Sequence, residues 1–266
     1  MTETRQLEKY SMNKSDVVYT LEDNKTWRLL FNRQLKLVGD FPCKEWKDGF
    51  KRLNLDPKKV PDLEETGEKI NKFTGWNIMN AKNEFLNNEE WFTALLKKEF
   101  PATNFIRKLK ELDFTPYPDL FHEYFGHLPL MTIPIVAEIT HLFGKAFFAS
   151  PEHLRVGVGR LWWHTMEWSF IKEGNKIKAF GAGLIAGKSD LLDGISKEKI
   201  PFTFEEAFTS LKTLNDVQEK YFLLNSLEEL KETLEWYIKS VKNKTMKTPK
   251  NFDPTDEIEE FRKDRK

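Results

Sequence analysis

The sequence predicts a mostly α-helical, single-domain fold with a few short strands. Three observations carry the prediction. Apolar residues recur at three- and four-residue spacing through most of the chain. Strand-like stretches are short, at 177–180 and 221–224. No internal repeat and no long Gly/Ser/Pro-rich linker divides the 266 residues. Hydrophobic residues make up 39% and aromatics 14%, led by 22 Phe and 8 Trp, which can fill a core or line a pocket.

Residues 1–16 are polar and are expected to form a flexible leader; 17–242 form the folded unit; 243–266, charged and proline-containing, are expected to be a mobile tail. Thr20 and Asp23 make a capping-box-like start, after which Trp27, Leu30, Phe31 and Leu35 share a helix face. A second helix follows Pro61 with Leu63, Ile70 and Phe73 inward, and Glu89 to Lys98 forms another. Two prolines keep Phe114 to Asp119 extended. A helix over Asp119 to Tyr124 is expected to stop near Gly126 and Pro129, and Thr132 to cap the next one. Ser150-Pro151 opens a further helix, Val156-Gly157-Val158-Gly159 is a flexible joint, and Arg160 to Lys172 is helical and aromatic. A strand at Ile177 to Phe180 turns at Gly181-Ala182-Gly183; a helix at Phe204 to Leu214, a strand at Tyr221 to Leu224 and a helix from Leu227 to Val241 complete the unit.

Lys+Arg equals Asp+Glu at 42 each, so net charge gives no long-range pull toward nucleic acid or an anionic membrane. Cys43, the single cysteine, can form neither an internal disulfide nor a thiolate cluster and fits a reducing compartment. The polar start carries no signal-peptide pattern and no apolar run is long enough to span a bilayer, so the cytoplasm is expected.

All five histidines fall between 122 and 164. His141 and His153 sit among polar neighbours and are expected at the surface. His122-Glu123-Tyr124-Phe125-Gly126-His127 resembles a zinc-protease motif with the second His one residue late. On an unbroken α-helix, residues five apart diverge by about 140°. Convergence on one metal therefore calls for the helix to stop between them. Glu167, a carboxylate in an apolar helix, is the candidate third ligand, because burying it unpaired is costly. Two His and one carboxylate form the facial triad of non-haem Fe(II) oxygenases. Trp163, four residues before Glu167, is expected on the same face. Arg107 could clamp a substrate carboxylate.

These segments resemble the pterin-dependent aromatic amino acid hydroxylases, and most of all the short bacterial phenylalanine 4-hydroxylases. The resemblance rests on Thr115-Pro116-Tyr117-Pro118-Asp119-Leu120-Phe121-His122-Glu123, Gly126-His127-Leu128-Pro129-Leu130, Thr165-Met166-Glu167 and Ala179-Phe180-Gly181-Ala182-Gly183-Leu184, with Thr26-Trp27-Arg28 and Thr74-Gly75-Trp76 upstream. It implies a single catalytic domain of that type, with Fe(II) on His122, His127 and Glu167. It also implies a tetrahydrobiopterin-like reductant, O2, and hydroxylation of an aromatic amino acid, phenylalanine first and tryptophan as the alternative. Arg107, Thr115, Pro116, Trp163 and Gly183 match substrate positions; Leu86, Trp91 and Glu123 match positions around the pterin. Without the regulatory domain and oligomerisation arm of animal members, a monomer is expected. The sequence departs from the family at Tyr117, Trp162, Trp168, the pterin loop Lys82-Asn83-Glu84, and Ala186, where a serine that supports a ligand histidine is usual. A donor from Tyr117 or His164 would compensate. A zinc hydrolase with Glu123 as base, or a metal-retaining binding protein, are the readings that compete.

Overall fold

Thr20 begins the first helix as its sequence predicts. In the computed structural model, which describes residues 17–82, 86–113, 115, 117–214, 216–258 and 260, its hydroxyl accepts from the Asp23 amide while the Asp23 carboxylate accepts from the Thr20 amide. The leader 1–16, Pro116 and the loop residues Asn83 and Glu84 lie outside the described residues.

Helix α1 (Leu21–Val38) buries Trp27, Leu30 and Phe31, but Leu35 faces out and Gln34 takes the inward place. The Gln34 amide explains this, donating to the carbonyls of Ile185 (2.7 Å) and Gly187 (3.1 Å). Helix α2 (Lys44–Leu53) went unread in the sequence, although Trp46, Phe50 and Leu53 have helical spacing. In α3 (Leu63–Thr74), Ile70 is buried and Leu63 half-buried, whereas Phe73 is 44% exposed beneath the Arg52 guanidinium. A parallel pair, β1 (Asn77–Lys82) and β2 (Glu99–Thr103), connects through α4 (Asn88–Leu96).

The centre holds the largest departure from expectation. The chain does not stop helically between His122 and His127. It continues as a π-helical turn (His122–His127) into α5 (Leu128–Met131), with the Leu128 amide donating to the Glu123 carbonyl five residues back. Ile133 rather than Thr132 caps α6 (Pro134–Ala149). Helix α7 (Glu152–Trp162) runs through the supposed joint, because Gly157 and Gly159 are packing positions rather than hinges. A Cβ at Gly157 would stand 2.2 Å from the Phe208 ring. Helix does not continue to Lys172: α7 ends in a second π-helical turn (Trp163–Glu167), and β3 (Ser169–Glu173) follows.

Strand β4 (Lys176–Ala179) folds back on β3 through Gly174, at φ +58°. Gly181 and Gly183 lead not into a plain turn but into α8 (Ala182–Ala186), followed by α9 (Lys188–Ser196). β5 (Ile200–Pro201) and β6 (Phe222–Leu224) complete a sheet of order β4-β3-β6-β5. Helix α10 (Phe204–Thr209) is shorter than expected; α11 (Leu227–Lys242) matches. The tail expected to be mobile is docked as far as Ile258. Fully buried Arg160 donates to the carbonyls of Asp253 (2.6 Å) and Thr255 (2.9 Å) and to Glu257 Oε1 (2.8 Å). Phe252 lies against Phe208.

Gly49 of α2 receives the backbone of α5, and a Cβ there would stand 1.8 Å from the Pro129 carbonyl oxygen. Gly49→Ala must push this backbone aside, and overpacking of this kind costs about 1–3 kcal/mol. Thermal unfolding should show a fall of about 2–12 °C; an unchanged midpoint would mean that α2 and α5 are not held this closely.

Candidate active site

The two widened turns resolve the spacing problem posed by the sequence. An i→i+5 hydrogen-bond pattern brings residues five apart onto one face, as i→i+4 bonds do for residues four apart. His122 and His127 thus lie with ring centroids 4.9 Å apart. The Trp168 amide closes the second turn on the Trp163 carbonyl at 3.1 Å. Glu167 then reaches both imidazoles, with Oε2 3.5 Å from His122 Nε2 and Oε1 3.0 Å from His127 Nε2.

The same shift corrects the expected place of Trp163. Trp162, five residues before Glu167, shares its face and donates from Nε1 to Glu167 Oε1 at 2.8 Å. Trp163 turns its Nε1 to Gln218 Oε1 at 2.7 Å while its ring still lines the cavity.

Two buried carboxylates meet here in opposite states. Burial favours protonation of Glu167, but His127 and then His122 outweigh it and hold the carboxyl well below the usual range. Glu123 has no such partner: burial pushes it up to about 8 against the opposing pull of His122, and Oε2 makes no hydrogen bond. Burial lowers the His127 pKa; His122 is raised despite burial by Glu167, Glu123 and Asp119. Donor atoms of His122, Glu123 and His127 lie within 4.8 Å of one another. Of the two carboxyls, Glu167 is the one held ionised against both rings. His127 Nε2 is buried beside a carboxylate oxygen without hydrogen-bond geometry. Two lone-pair acceptors that close call for a cation between them, and the donor set of two N and one O suits a first-row divalent metal.

A cavity of about 410 Å³ opens from this group. Arg107, Thr115, Trp163 and Gly183 line it, as do Leu86, Trp91 and Glu123. A Cβ at Gly183 would stand 2.5 Å from the Trp168 ring, so Gly183 admits that indole. Trp91 is half-buried and meets Trp162 edge-on, centroids 5.6 Å apart. Arg107 is already paired: Nε and Nη2 donate to buried Asp119 at 2.8 and 2.7 Å. Nη1 takes no part in that pair, which leaves the Nη1/Nη2 end for a second carboxylate. Burial would raise the Asp119 pKa, but Arg107 outweighs it and keeps the carboxylate ionised. Asp119 also accepts from the His122 amide at 3.2 Å, tying Arg107 to the first ligand.

A model of the biopterin-dependent aromatic amino acid hydroxylases matches residues 2–266. The chain belongs to this family. It is 31% identical to the phenylalanine-4-hydroxylase of Pseudomonas aeruginosa over 80% of this chain and 81% of that protein. It is 32% identical to that of Mesorhizobium japonicum over 83% of this chain and 81% of that protein. The fold matches the cold-active phenylalanine hydroxylase of Colwellia psychrerythraea (TM-score 0.79, 26% identity, 89% of this chain and 92% of that one). It matches equally the Chromobacterium violaceum enzyme, whose structure has bound iron(III) and 7,8-dihydrobiopterin (TM-score 0.79, 26% identity, 94% and 97%).

Within the hydroxylase frame, sequence reasoning missed two residues. Asp119 was read only as a helix start, though a carboxylate between two prolines and a histidine is a signal for pairing. Trp162 was hidden in an aromatic run. Of the two compensating donors proposed for Ala186, His164 is engaged elsewhere. His164 points to the Ser210 carbonyl at 3.0 Å and packs on Phe222; burial lowers its pKa to about 4. Tyr117 lines the cavity. Of the other two histidines, His153 is exposed as expected, while His141 is half-buried with Nδ1 3.2 Å from the Leu95 carbonyl.

Trp162→Phe keeps the aromatic packing and removes the N–H on Glu167. Loss of such a supporting hydrogen bond typically weakens metal affinity about 10–100-fold. Competition with a chromophoric Fe(II) chelator should show that loss without a comparable drop in melting temperature. Parent-like affinity would leave the indole a packing role only.

Proposed function

We propose that this chain hydroxylates phenylalanine to tyrosine with O2, using Fe(II) on His122, His127 and Glu167 and a tetrahydropterin as the two-electron reductant. The observation that carries the proposal is the ionised Glu167 carboxylate against two imidazoles, facing a cavity with a guanidinium on its wall. Iron supplies the site at which O2 is activated when metal and reductant are bound. The protein's part is placement. Asp119 holds Arg107 so that its free end takes the substrate carboxylate, and Trp163, Trp168 and Gly183 shape the wall against which the ring lies. Leu86 and Trp91 offer an apolar surface for the pterin. Glu123, neutral at pH 7, can donate a hydrogen bond to a pterin nitrogen, which an ionised carboxylate cannot. Thr115 and Pro116 belong to the substrate side by resemblance. Among the described residues no single helix is long and apolar enough to cross a membrane. We read the protein as a cytoplasmic monomer.

His122→Ala, His127→Ala or Glu167→Ala should each abolish iron retention and turnover in a folded protein. A variant turning over at the parent rate would remove that residue from the ligand set. Arg107→Lys replaces a fork by a point charge, which cannot serve Asp119 and a substrate carboxylate together. Its Michaelis constant for phenylalanine should rise more than about tenfold, a loss of about 1.4 kcal/mol. An unchanged constant, or faster turnover of tryptophan than phenylalanine by the parent, would overturn the substrate assignment.

A further inference from the structure

Arg33 and Gln34 are consecutive on α1, and the chemistry described above uses neither. Consecutive residues on a helix diverge by about 100°, so the pair faces two ways. The Gln34 amide holds the α8–α9 corner, donating to the carbonyls of Ile185 and Gly187 on either side of Ala186. Arg33 reaches a different stretch of the cavity wall. Its Nη2 donates to the Leu112 carbonyl at 2.7 Å and its Nη1 to Asp113 Oδ1 at 2.6 Å. Lys188, the first residue of α9, donates to the same Asp113 oxygen at 3.1 Å. Arg33, Asp113 and Lys188 all line the cavity.

The segment that Arg33 holds bears the residues assigned to the substrate. Residues 107–119 are closed at their base: the Arg107 amide and guanidinium donate to Asp119, and the Leu120 amide donates to the Phe105 carbonyl. Beyond that base come one 3-10 turn (Leu109–Glu111), then Leu112, Asp113 and the cavity-lining Thr115 and Tyr117. A segment closed at its base still has to be placed at its far end. The Arg33 fork grips it two residues before Thr115.

The guanidinium is placed for the segment rather than for itself. Its Nε is buried and makes no hydrogen bond among the described residues, and an unmet buried donor carries a cost. The two acceptors it does meet, a carbonyl and a carboxylate on neighbouring residues, fix position and orientation together, as a fork does and a point charge does not. Folding stability gives little reason for the arrangement. The side chains are 30% exposed at Arg33, 41% at Lys188 and 68% at Asp113, and ion pairs so open to water contribute little. What the arrangement does supply is a fixed spacing between the Thr115 segment and the α8–α9 corner, both set from one helix.

We propose that Arg33 is a positioning residue for the amino acid substrate: through Leu112 and Asp113 it holds the Thr115 segment at a set distance from the corner that Gln34 and Lys188 engage, and so keeps the substrate pocket preformed. The proposal rests on the amino acid reading above. A pocket that is correctly placed only about a tenth of the time binds about tenfold more weakly than a preformed one.

Anaerobic calorimetry on the iron-loaded protein reads the binding of phenylalanine and of 7,8-dihydrobiopterin separately and without turnover. Arg33→Met, which removes the donors at similar length, and Asp113→Ala should each weaken phenylalanine binding about tenfold. Both should leave the Kd for 7,8-dihydrobiopterin unchanged, because Trp91 stands on α4, and the melting temperature close to the parent's. The double variant should lose less than the product of the two single losses, since both residues act on one segment. An unchanged phenylalanine Kd in either single variant overturns the assignment, as do fully multiplicative losses. Weaker binding of both ligands with a lowered melting temperature also overturns it, and makes Arg33 part of the general scaffold. If the parent itself binds no phenylalanine, the substrate reading falls and this proposal with it.

Discussion

Each ligand-bearing turn carries one residue more than an α-helix accommodates, and the site depends on that extra residue. Were the same residues wound as a regular α-helix, His127 would point about 140° away from His122. The widened turns are held from outside. Pro129 has no N–H to give the Phe125 carbonyl, its partner four residues back in an α-helix; Trp46 Nε1 donates there instead at 2.7 Å. The start of α8 presses on both turns where no Cβ intervenes: one at Gly126 would meet the Ala182 carbonyl oxygen at 2.8 Å, one at Gly181 the Glu167 carbonyl oxygen at 2.2 Å. The Gly-Ala-Gly segment therefore fixes the ligands as a spacer, by the closeness its small residues permit.

Buried charge organises the rest. Asp119 and Glu167 are both buried and both ionised, each because cationic or protonatable partners outweigh the cost of burial. At Glu123, a short distance away, the pull of His122 does not outweigh burial, which pushes the carboxyl up to about 8. Three buried carboxyl groups thus differ in surroundings: Asp119 orients a guanidinium, Glu167 lies against two imidazoles, and Glu123 faces the cavity. Asp119 also links two parts of the site, because it accepts from the His122 amide as well as from Arg107. A disturbance of Arg107 therefore reaches His122 through a single side chain.

Much of this was legible in the sequence. The first helix, the last helix and the β3-adjacent strand followed from capping residues and periodicity, and the three candidate ligands from clustering and chemical cost. The failures have physical causes. A π turn leaves no periodic signature, since the extra residue looks like a break in an α pattern; hence the expected stop after Tyr124 and the misplaced Trp163. Glycine signals a hinge by its freedom and a contact by its smallness, and only the partner distinguishes them: Phe208 at Gly157, Lys212 and Asn88 at Gly159. Gln34 displaced Leu35 because two distant carbonyls needed its amide. The tail looked mobile by composition, but Arg160, on another helix, supplied the donors that its backbone required.

Helix α7 and the turn that ends it show how closely these demands interlock. Gly157 admits Phe208, Gly159 opens the cavity, Arg160 docks the tail, and Trp162 holds the ligand carboxylate. In a regular helix Glu167 would sit above Trp163, as the sequence suggests. The inserted residue moves that relation to Trp162, whose ring also lies against His127 (centroids 6.1 Å) and Trp91. One indole thereby lies against His127, hydrogen-bonds Glu167 and meets Trp91, the ring proposed to carry the pterin. Trp163 instead lines the cavity with its N–H satisfied by Gln218. A larger side chain than the family's usual tyrosine at position 162 thus does not crowd the centre. It brings a hydrogen-bond donor onto the Glu167 carboxylate.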